Sequence, residues 1–216
     1  ICRLKGVPLL LTTHDTFNDK QFVGLRGILN QIALNIILSL VNVINTVSYD
    51  ARDNLLTYMP LVKILKKKVV VIPNGIEVER FIDAHARDFR AELGLPSDTF
   101  LVGFLGRFMS PKGFVYLVDA LQELYRDDHL PQKPHVLTFN PESGFVREER
   151  SEIERKGLEG VFHFLPFTPN VAEVLKGLDV VVMPSLSEAC GMLAMEALVA
   201  GVPIIGTNCI GLREVL

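Results

Sequence analysis

The sequence predicts an α/β protein built from parallel β-sheets. Along most of its 216 residues, apolar runs short enough for strands alternate with amphipathic helical patterns. The strand-like runs are apolar on both faces, as in sheets that are covered by helices on each side. A polar, mixed stretch at 76–98 interrupts the alternation, so that two series of βαβ units follow one another. These observations indicate two doubly wound domains.

The first series lies within residues 1–75 and holds only the later half of a doubly wound domain. Its predicted elements are a strand at 7–13, a helix over about 20–40, a strand at 44–48, a short helix at 50–59 and a strand that ends in a Pro-Asn-Gly turn at 73–75. The chain also begins without Met. We therefore expect an internal fragment whose first domain is truncated at its N-terminus, followed by a linker region at 76–98.

The second series, 99–216, is nearly a complete doubly wound domain. Its predicted strands are at 99–107, 135–139, 161–165, 179–185 and 202–207, and its predicted helices are at 113–127, 145–157, 171–178 and 191–200. The last helix ends at Gly201, as helices often do. The final segment, GLREVL at 211–216, starts a helical pattern and stops. We therefore expect the second domain to be truncated at its C-terminus.

Composition narrows the classes of function. The net charge of −3 gives no bias toward nucleic acid, although the run KILKKK at 63–68 is either a solvated helix end, which we favour, or a contact for anionic lipid. Three cysteines without a CxxC pair indicate a reducing compartment and no structural zinc. The segment 28–47 is as long and apolar as a membrane span, but its five amide side chains favour a buried or interfacial helix that runs into a strand.

Two glutamates flank a predicted helix start after the fourth strand of the second series. Glu188 precedes the helix and Glu196 lies in its second turn, and between them the amides of Gly191, Met192 and Leu193 form an anion site. Eight positions in helix geometry span about 12 Å, roughly the reach from a sugar to a ribose across a diphosphate. Alternatively, Glu188 merely favours the helix dipole and Glu196 faces solvent.

Two cations follow the first strand of the second series. Arg107 and Lys112 share one strand-end loop, with glycines before and after it, and suit a phosphate or a diphosphate. The alternative is a capping turn with two solvated charges. Neither a P-loop nor a dinucleotide fingerprint is present, and no group of residues has the spacing of metal ligands.

One histidine follows the first strand of the first series. His14, beside Asp15, is placed to touch a substrate hydroxyl or to carry a proton. The alternative is a structural histidine, which is the commoner role of a lone one.

Five segments, in order along the chain, together resemble the retaining glycosyltransferases of family 4, which have the GT-B fold. They are TTHD (12–15), VSYDARDNL (47–55), VIPNGIEVERF (71–81), VGFLGRFMSPKGFVYLVDAL (102–121) and PSLSEACGMLAMEALVAGVPIIGTNCIGLREVL (184–216). The last three are the specific ones, similar to the family's PNG, GR…KG and E-x(7)-E motifs. The resemblance implies two Rossmann-like domains, the first on the acceptor side and the second, 99–216, binding the donor.

The resemblance also implies an activity and roles for single residues. A hexosyl group would pass from a UDP-, GDP- or ADP-sugar to an acceptor hydroxyl, with retained configuration and without a metal or other cofactor. Glu188 and His14 would lie at the transferred sugar, Glu196 at the ribose, Arg107 and Lys112 at the diphosphate, the amides of 191–193 at phosphate, and 166–168 near the base. FNPESGF at 139–145 departs from the family's GxGP-like turn, which leaves the contacts of that loop open.

The resemblance further implies a setting. The acceptor would be a glycan or a lipid-linked glycan in surface polysaccharide or glycolipid synthesis, and the protein would be cytoplasmic, with peripheral contact at the inner face of the membrane. We expect the fragment to be inactive or nearly so and its longer parent to be active. The alternatives are a nucleotide-sugar epimerase of GT-B architecture and a non-catalytic nucleotide-sugar-binding subunit.

Overall fold

The computed structural model describes residues 6–130, 132–139 and 146–216, with the side chains of 146 and 147 left aside. The chain divides into two compact units. Unit 1 comprises Ile1–Gly75, Ser187–Gly191 and Cys209–Leu216, and unit 2 comprises Ile76–Leu186 and Met192–Asn208. The break after Gly75 coincides with the end of the first predicted domain. The predicted linker packs with unit 2, and two segments of the predicted second domain pack with unit 1. The units reflect packing and the predicted domains reflect function, so the domain assignment stays a prediction.

Unit 1 contains a three-stranded parallel sheet with helices between its strands. The strands β1 (Leu10–Thr13), β2 (Val43–Thr46) and β3 (Lys68–Val71) lie in that order. The helices are α1 (Gly24–Ser39), α2 (Tyr49–Tyr58) and α3 (Pro60–Ile64), preceded by a 3-10 turn at Asp19–Phe22. The three predicted strands are confirmed with shorter bounds. Pro60 explains why α3 separates from α2, since proline fits the first turn of a helix but breaks an interior.

The amide residues of α1 are used for packing within unit 1. Asn35 is buried, donates from Nδ2 to the carbonyl oxygen of Gln31 at 3.0 Å, and accepts at Oδ1 from the Leu61 amide at 3.1 Å. The second bond attaches α1 to α3, and both satisfy a polar side chain that burial would otherwise penalise. In the described parts of the chain, no helix has the length and apolar character needed to cross a membrane. The prediction of a helix that runs into a strand is confirmed by α1 and β2. The helix is not buried as a whole, because only Gly27, Asn35 and Leu38 of α1 are buried, and its interfacial character stays a prediction.

Unit 2 contains a five-stranded parallel sheet in the order β6-β5-β4-β7-β8. Its elements are α4 (Val78–Ile82), α5 (Phe89–Leu93), β4 (Leu101–Phe104), α6 (Phe114–Arg126), β5 (His135–Phe139), α7 (Val146–Arg155), β6 (Phe162–Leu165), α8 (Val171–Lys176), β7 (Val180–Met183), α9 (Met192–Val199) and β8 (Ile204–Gly206). From β4 the chain first builds outward to β6 and then returns to add β7 and β8 on the other side. The order therefore reverses between β4 and β7, which is where doubly wound sheets bind ligands.

Aromatic packing holds α6 on the sheet of unit 2. Phe114 is 1% exposed and meets the rings of Phe104, Phe108 and Phe162 edge to face, with centroids 4.8–5.6 Å apart. Such edge-to-face contacts add stabilisation to the burial of apolar area. The cluster fixes the start of α6 directly behind the loop that follows β4.

Two segments differ from the sequence-based expectation. The predicted linker region contains α4 and α5, because Phe81 and Phe89 are buried in unit 2 and anchor helices too short to show a periodic pattern. The end of the chain forms consecutive turns at 210–215 in place of the predicted helix start. Its helix-type hydrogen bonds are the amides of Arg213 and Leu216 donating to residues 209 and 212, too few to continue as a helix.

Candidate active site

In unit 2 the loops that follow β4 and β7 lie side by side at the switch point. The first carries Arg107, which is exposed and precedes a 3-10 turn at Ser110–Lys112, and Lys112, which is half-buried and ends that turn. The amide of Leu186, after β7, donates to the carbonyl oxygen of Pro111 at 2.8 Å. The structure thus places both predicted phosphate cations at the carboxyl edge of the sheet, as expected from the sequence.

Gly113 makes the close approach of these loops possible. It has φ +68°, and a Cβ added there would meet the carbonyl oxygen of Pro184 at 1.9 Å. Only glycine fits both the left-handed backbone and the neighbouring carbonyl. The second glycine of the GR…KG motif is therefore explained by the packing of two strand-end loops.

A pocket of about 240 Å³ opens at the ends of β4, β5 and β6 in unit 2. Its lining is mostly apolar, with the backbone of Gly106 and the cation of Arg107 at one side: Leu105, Gly106, Arg107, Phe139, Phe167, Thr168, Val171 and Val174. An apolar cleft with a few polar groups is the usual form of a small-molecule site. Phe167 and Thr168 come from the segment that the sequence placed near a nucleotide base, and Phe167 is 71% exposed, so its ring is available for stacking.

Glu196 lies in the second turn of α9, as predicted, and is half-buried in unit 2. Burial raises the pKa of its carboxyl group, while the positive charge of Arg80 on α4 lowers it. The apolar face of α9 packs against β8, and α9 also packs against α4. A carboxylate held half-buried beside a cation is not the fully solvated charge of the alternative interpretation.

The predicted anion site at the start of α9 is divided between the units. Met192 and Leu193 are the first residues of α9 and belong to unit 2, whereas Gly191 is buried, precedes the helix and belongs to unit 1. The helix start at 192 agrees with the expectation of about 191. The phosphate-binding role of these amides stays a prediction.

Glu188 and His14 both belong to unit 1. His14 is exposed and follows β1 directly, as predicted. Two residues on, the buried hydroxyl of Thr16 lies 2.7 Å from the hydroxyl of Ser187, the residue before Glu188. Glu188 is half-buried, and its amide donates to the carbonyl oxygen of Ile210 at 3.0 Å. The end of β1 and the loop that carries Glu188 are therefore joined within one unit.

A set of charges holds the last residues of the chain against α2 within unit 1. Asp50 accepts hydrogen bonds from the guanidinium of Arg213 and, at 3.0 Å, from the amide of Gly211. The carboxylate of Glu214 accepts from the amides of Tyr49, at 3.0 Å, and Asp50, at the start of α2. The hydrogen bond from Arg213 is the main cause that lowers the pKa of Asp50.

Gly211 has a second contact that concerns the loop of Glu188. Its φ is +73°, and a Cβ there would meet the carbonyl oxygen of Glu188 at 2.3 Å. The segment 209–216 therefore supports the Glu188 loop directly.

Several of these residues were missed by sequence reasoning. Each of them acts through a partner more than a hundred positions away along the chain. Thr16 pairs with Ser187, and Arg80 acts on Glu196. Their only sequence signal is adjacency, since Ser187 precedes Glu188, Thr16 follows the TTHD segment and Arg80 precedes the last residue of the PNG segment at 71–81.

The departing turn FNPESGF lies, except for Phe139, outside the described residues. Within the described residues, no cluster of three or more His, Cys, Asp or Glu side chains is arranged to hold a metal ion.

Comparison with known proteins assigns the family. A model described as glycosyl transferases group 1 matches residues 86–216, and one described as glycosyltransferase family 4 matches residues 1–80. The chain belongs to the group 1 glycosyl transferases. Together the two models match nearly the whole chain, and the family membership supports the prediction of a glycosyltransferase over that of an epimerase.

Curated relatives of this family carry specific activities. The chain is 31% identical to the 2-deoxystreptamine N-acetyl-D-glucosaminyltransferase of Streptomyces fradiae over 99% of its own length and 52% of that protein. It is 33% identical to the D-inositol 3-phosphate glycosyltransferase of Corynebacterium jeikeium over 66% of its own length and 36% of that protein. The chain thus spans about half or less of the length of these relatives.

Solved structures show that the family fold is present. Anabaena HepE, crystallised with UDP and glucose, superposes with a TM-score of 0.78 at 21% identity, covering 100% of this chain and 57% of HepE. WaaG, a glycosyltransferase of lipopolysaccharide biosynthesis, gives a TM-score of 0.70 at 16% identity over 95% of this chain and 58% of WaaG. At these identities the likeness shows the fold alone. The predicted GT-B fold is confirmed.

Proposed function

We propose that the longer protein containing this chain is a retaining, metal-independent hexosyltransferase that uses a UDP-sugar. The observation that carries the proposal is the pocket beside Arg107, which opens at the ends of β4, β5 and β6 in unit 2, in a chain of the glycosyl transferase family. It adjoins the switch point, because β4 is one of the two strands between which the order reverses. UDP is favoured among the possible donors because the structural relative HepE was solved with UDP and with UDP-glucose.

Each part of the donor has a proposed partner in unit 2. The base stacks at Phe167 in the apolar part of the pocket, and the diphosphate lies at Arg107 and Lys112. The two cations supply the positive charge that a diphosphate leaving group requires. The amides at the start of α9 add hydrogen bonds to phosphate, and Glu196 accepts hydrogen bonds from the ribose hydroxyls.

The transferred sugar lies at the residues of unit 1 that follow β1 and precede α9. Glu188 accepts hydrogen bonds from the sugar, and His14 contacts it from the strand end. In the reaction, the bond between the anomeric carbon and the diphosphate oxygen breaks, and the acceptor oxygen bonds to the same carbon on the same face. The proton of the acceptor hydroxyl passes to the diphosphate oxygen, and UDP leaves. The hydrogen bond between Thr16 and Ser187 supports the assignment of Glu188 and His14 to the same sugar, because it fixes the loop of Glu188 next to the end of β1.

The proposed activity is tested with the longer parent protein. Glu188→Gln keeps the shape of the side chain but removes its charge, and we expect transfer from UDP-glucose to fall by about 10²–10³-fold while UDP still binds. NMR of the product should show the anomeric configuration of the donor, and a chelator should leave the rate unchanged. Undiminished transfer by the variant would contradict the role of Glu188, and an inverted product would contradict retention.

The proposed setting is surface polysaccharide or glycolipid synthesis at the cytoplasmic face of the membrane. Unit 1 presents exposed apolar side chains along α1, namely Leu25, Ile28, Leu29, Ile32, Ile36 and Ile37. The helix α3 packs against α1 and contains Lys63, the first residue of the run at 63–68. Lys63, Lys66 and Lys68 of this run are exposed. Apolar side chains with neighbouring lysines suit the surface of an anionic bilayer, where each lysine contributes about 1 kcal/mol.

Membrane contact is tested by cosedimentation with vesicles. The chain should sediment with vesicles of phosphatidylglycerol and phosphatidylcholine more than with phosphatidylcholine alone. Leu29→Ser with Ile32→Ser, or Lys63→Gln with Lys66→Gln, should each reduce it. Equal sedimentation with both vesicles would contradict the proposal, as would a concentration-dependent dimer, because the apolar side chains of α1 would then be covered by a second copy.

A further inference from the structure

Arg80 lies on α4 and connects the loop that contributes Phe167 and Thr168 to the pocket with the helix that carries Glu196. Its Nη2 donates to the carbonyl oxygen of Pro169 at 2.7 Å, in the loop that also carries Phe167 and Thr168. The positive charge of Arg80 also acts on the carboxylate of Glu196 on α9, the helix against which α4 packs. All of these residues belong to unit 2.

The helix that carries Arg80 is fixed to unit 2 by its own contacts. Phe81, the next residue, is 3% exposed, and α4 packs against both α8 and α9. The ammonium of Lys176 on α8 donates to the carbonyl oxygen of Ile82 at the end of α4. Arg80 therefore projects from a short, anchored helix, and its position is set by the unit 2 core.

The charge that acts on the pKa of Glu196 is that of Arg80. The elements that pack most closely against α9 are α4, which carries Glu79 and Arg80, and β8, which has no ionisable residue. Burial raises the pKa of Glu196 and Arg80 opposes that rise. Without the guanidinium, more of the carboxyl group would be protonated at a given pH.

We propose that Arg80 is a positioning residue of the nucleotide site, whose guanidinium fastens the base-side loop at Pro169 and presents a positive charge to Glu196. The inference rests on the proposed function, since it takes Glu196 as the ribose carboxylate. A neutral carboxyl group donates one hydrogen bond and accepts fewer, so it holds a pair of ribose hydroxyls less well than a carboxylate. Arg80 thereby sets both the affinity for the nucleotide and its dependence on pH.

The test measures the affinity for UDP-glucose by calorimetry across about pH 5–8, the range in which a histidine or a perturbed carboxyl group titrates. UDP-glucose is the probe because a free terminal phosphate titrates near pH 6, whereas both of its phosphates are esterified and keep their charge. The variants are Arg80→Met, which removes the charge, and Arg80→Lys, which keeps it. Arg126→Met, at an exposed arginine of α6 paired with Glu123, is the matched control.

We expect the affinity of every protein that retains Glu196 to fall on acidification. In Arg80→Met this fall should begin at a higher pH than in wild type, so that the variant binds several-fold more weakly at the acid end of the range. In Arg80→Lys the affinity should fall at the same pH as in wild type, and Arg126→Met should match wild type throughout. Glu196→Gln should bind more weakly at all pH values, and adding Arg80→Met to it should produce no further displacement. Thermal unfolding of each variant identifies any that do not fold. If Arg80→Met does not fold, the pH at which the affinity of Arg80→Lys falls is compared with that of wild type.

Two results would overturn the inference in distinguishable ways. If Glu196→Gln weakens binding but Arg80→Met titrates like wild type, then Arg80 does not act on Glu196 and the proposed function stands. If Glu196→Gln binds as tightly as wild type, then the ribose role of Glu196 is wrong and the inference falls with it.

Discussion

The ion pair between Asp50 and Arg213 shows how single residues support the loop of Glu188. The side chain of Asp50 is 15% exposed and that of Arg213 is 49% exposed, so solvent screens the pair only in part. Because Arg213 lowers the pKa of Asp50, the folded state favours the carboxylate. This stabilisation is fully present above the ordinary aspartate pKa of about 4 and is lost as the pH falls through the lowered folded value.

We therefore expect Asp50→Asn to lower the thermal unfolding midpoint by about 2–4 °C at pH 7. The difference from wild type should shrink as the pH falls below about 4 and through the lowered folded pKa, because protonation of Asp50 then removes the charge that Arg213 stabilises in the folded state. Thermal unfolding followed by circular dichroism from about pH 7 to below about pH 4 measures both effects. Asp53→Asn is the control, since Asp53 is 65% exposed and pairs only with the adjacent Arg52 among the described ion pairs. A difference that grows on acidification would contradict the account.

At the residue scale, Gly113 is required where the loops after β4 and β7 meet. Gly113→Ala should destabilise the protein by about 1–3 kcal/mol, because the added methyl group meets the backbone of Pro184 and the φ of +68° disfavours any side chain. Urea unfolding measures the change. Gly160→Ala, where a Cβ meets nothing within 4 Å, should change stability little. Equal effects of the two substitutions would show that the loops after β4 and β7 are not in close contact.

At the scale of elements, the aromatic cluster under α6 fixes the end of the loop after β4, which carries Lys112. Phe114 is the first residue of α6 and follows Gly113, so the ring that anchors the helix also fixes the end of the loop carrying Lys112. Phe114→Ala should cost about 3–5 kcal/mol in free energy of unfolding, whereas Phe114→Leu should cost less because it retains most of the apolar volume.

The exposed Tyr116, two residues on in the same helix, supplies the control for Phe114. It is 51% exposed, and Tyr116→Ala should change stability by no more than about 0.5 kcal/mol. Chemical unfolding of the three variants tests the prediction. Similar losses at 114 and 116 would mean that α6 is not anchored by its buried aromatic face.

Elements were predictable from the sequence where the pattern was local. The buried strands β2, β4, β5 and β7 are runs of apolar residues, and α6 shows its stripe of Phe114, Leu117, Val118 and Leu121. The short helices α4 and α5 were not predictable, because five residues make little more than one helical turn and their stability comes from packing of Phe81 and Phe89.

At the scale of the whole molecule, the family motifs identified the fold, and the structure supplied what joins them. The strand ends that carry Arg107 and Lys112 followed from the general rule for doubly wound sheets. The link from Arg80 to Glu196 and Pro169, and that from Thr16 to Ser187, did not, since contacts between distant segments leave no periodic signal. The division of 187–191 from 192 onward was likewise unpredictable, because it depends on packing of 209–216 against α2.

The most direct test of the account is calorimetry of UDP with the 216-residue chain and its Arg107→Met variant. We predict one saturable site whose affinity falls about 10–100-fold in Arg107→Met and in Lys112→Met, since each loses a charged hydrogen bond to phosphate. The exposed Arg126→Met should leave the affinity unchanged. No UDP binding by the wild-type chain, or equal affinity in wild type and Arg107→Met, would contradict the placement of the donor diphosphate at the end of β4.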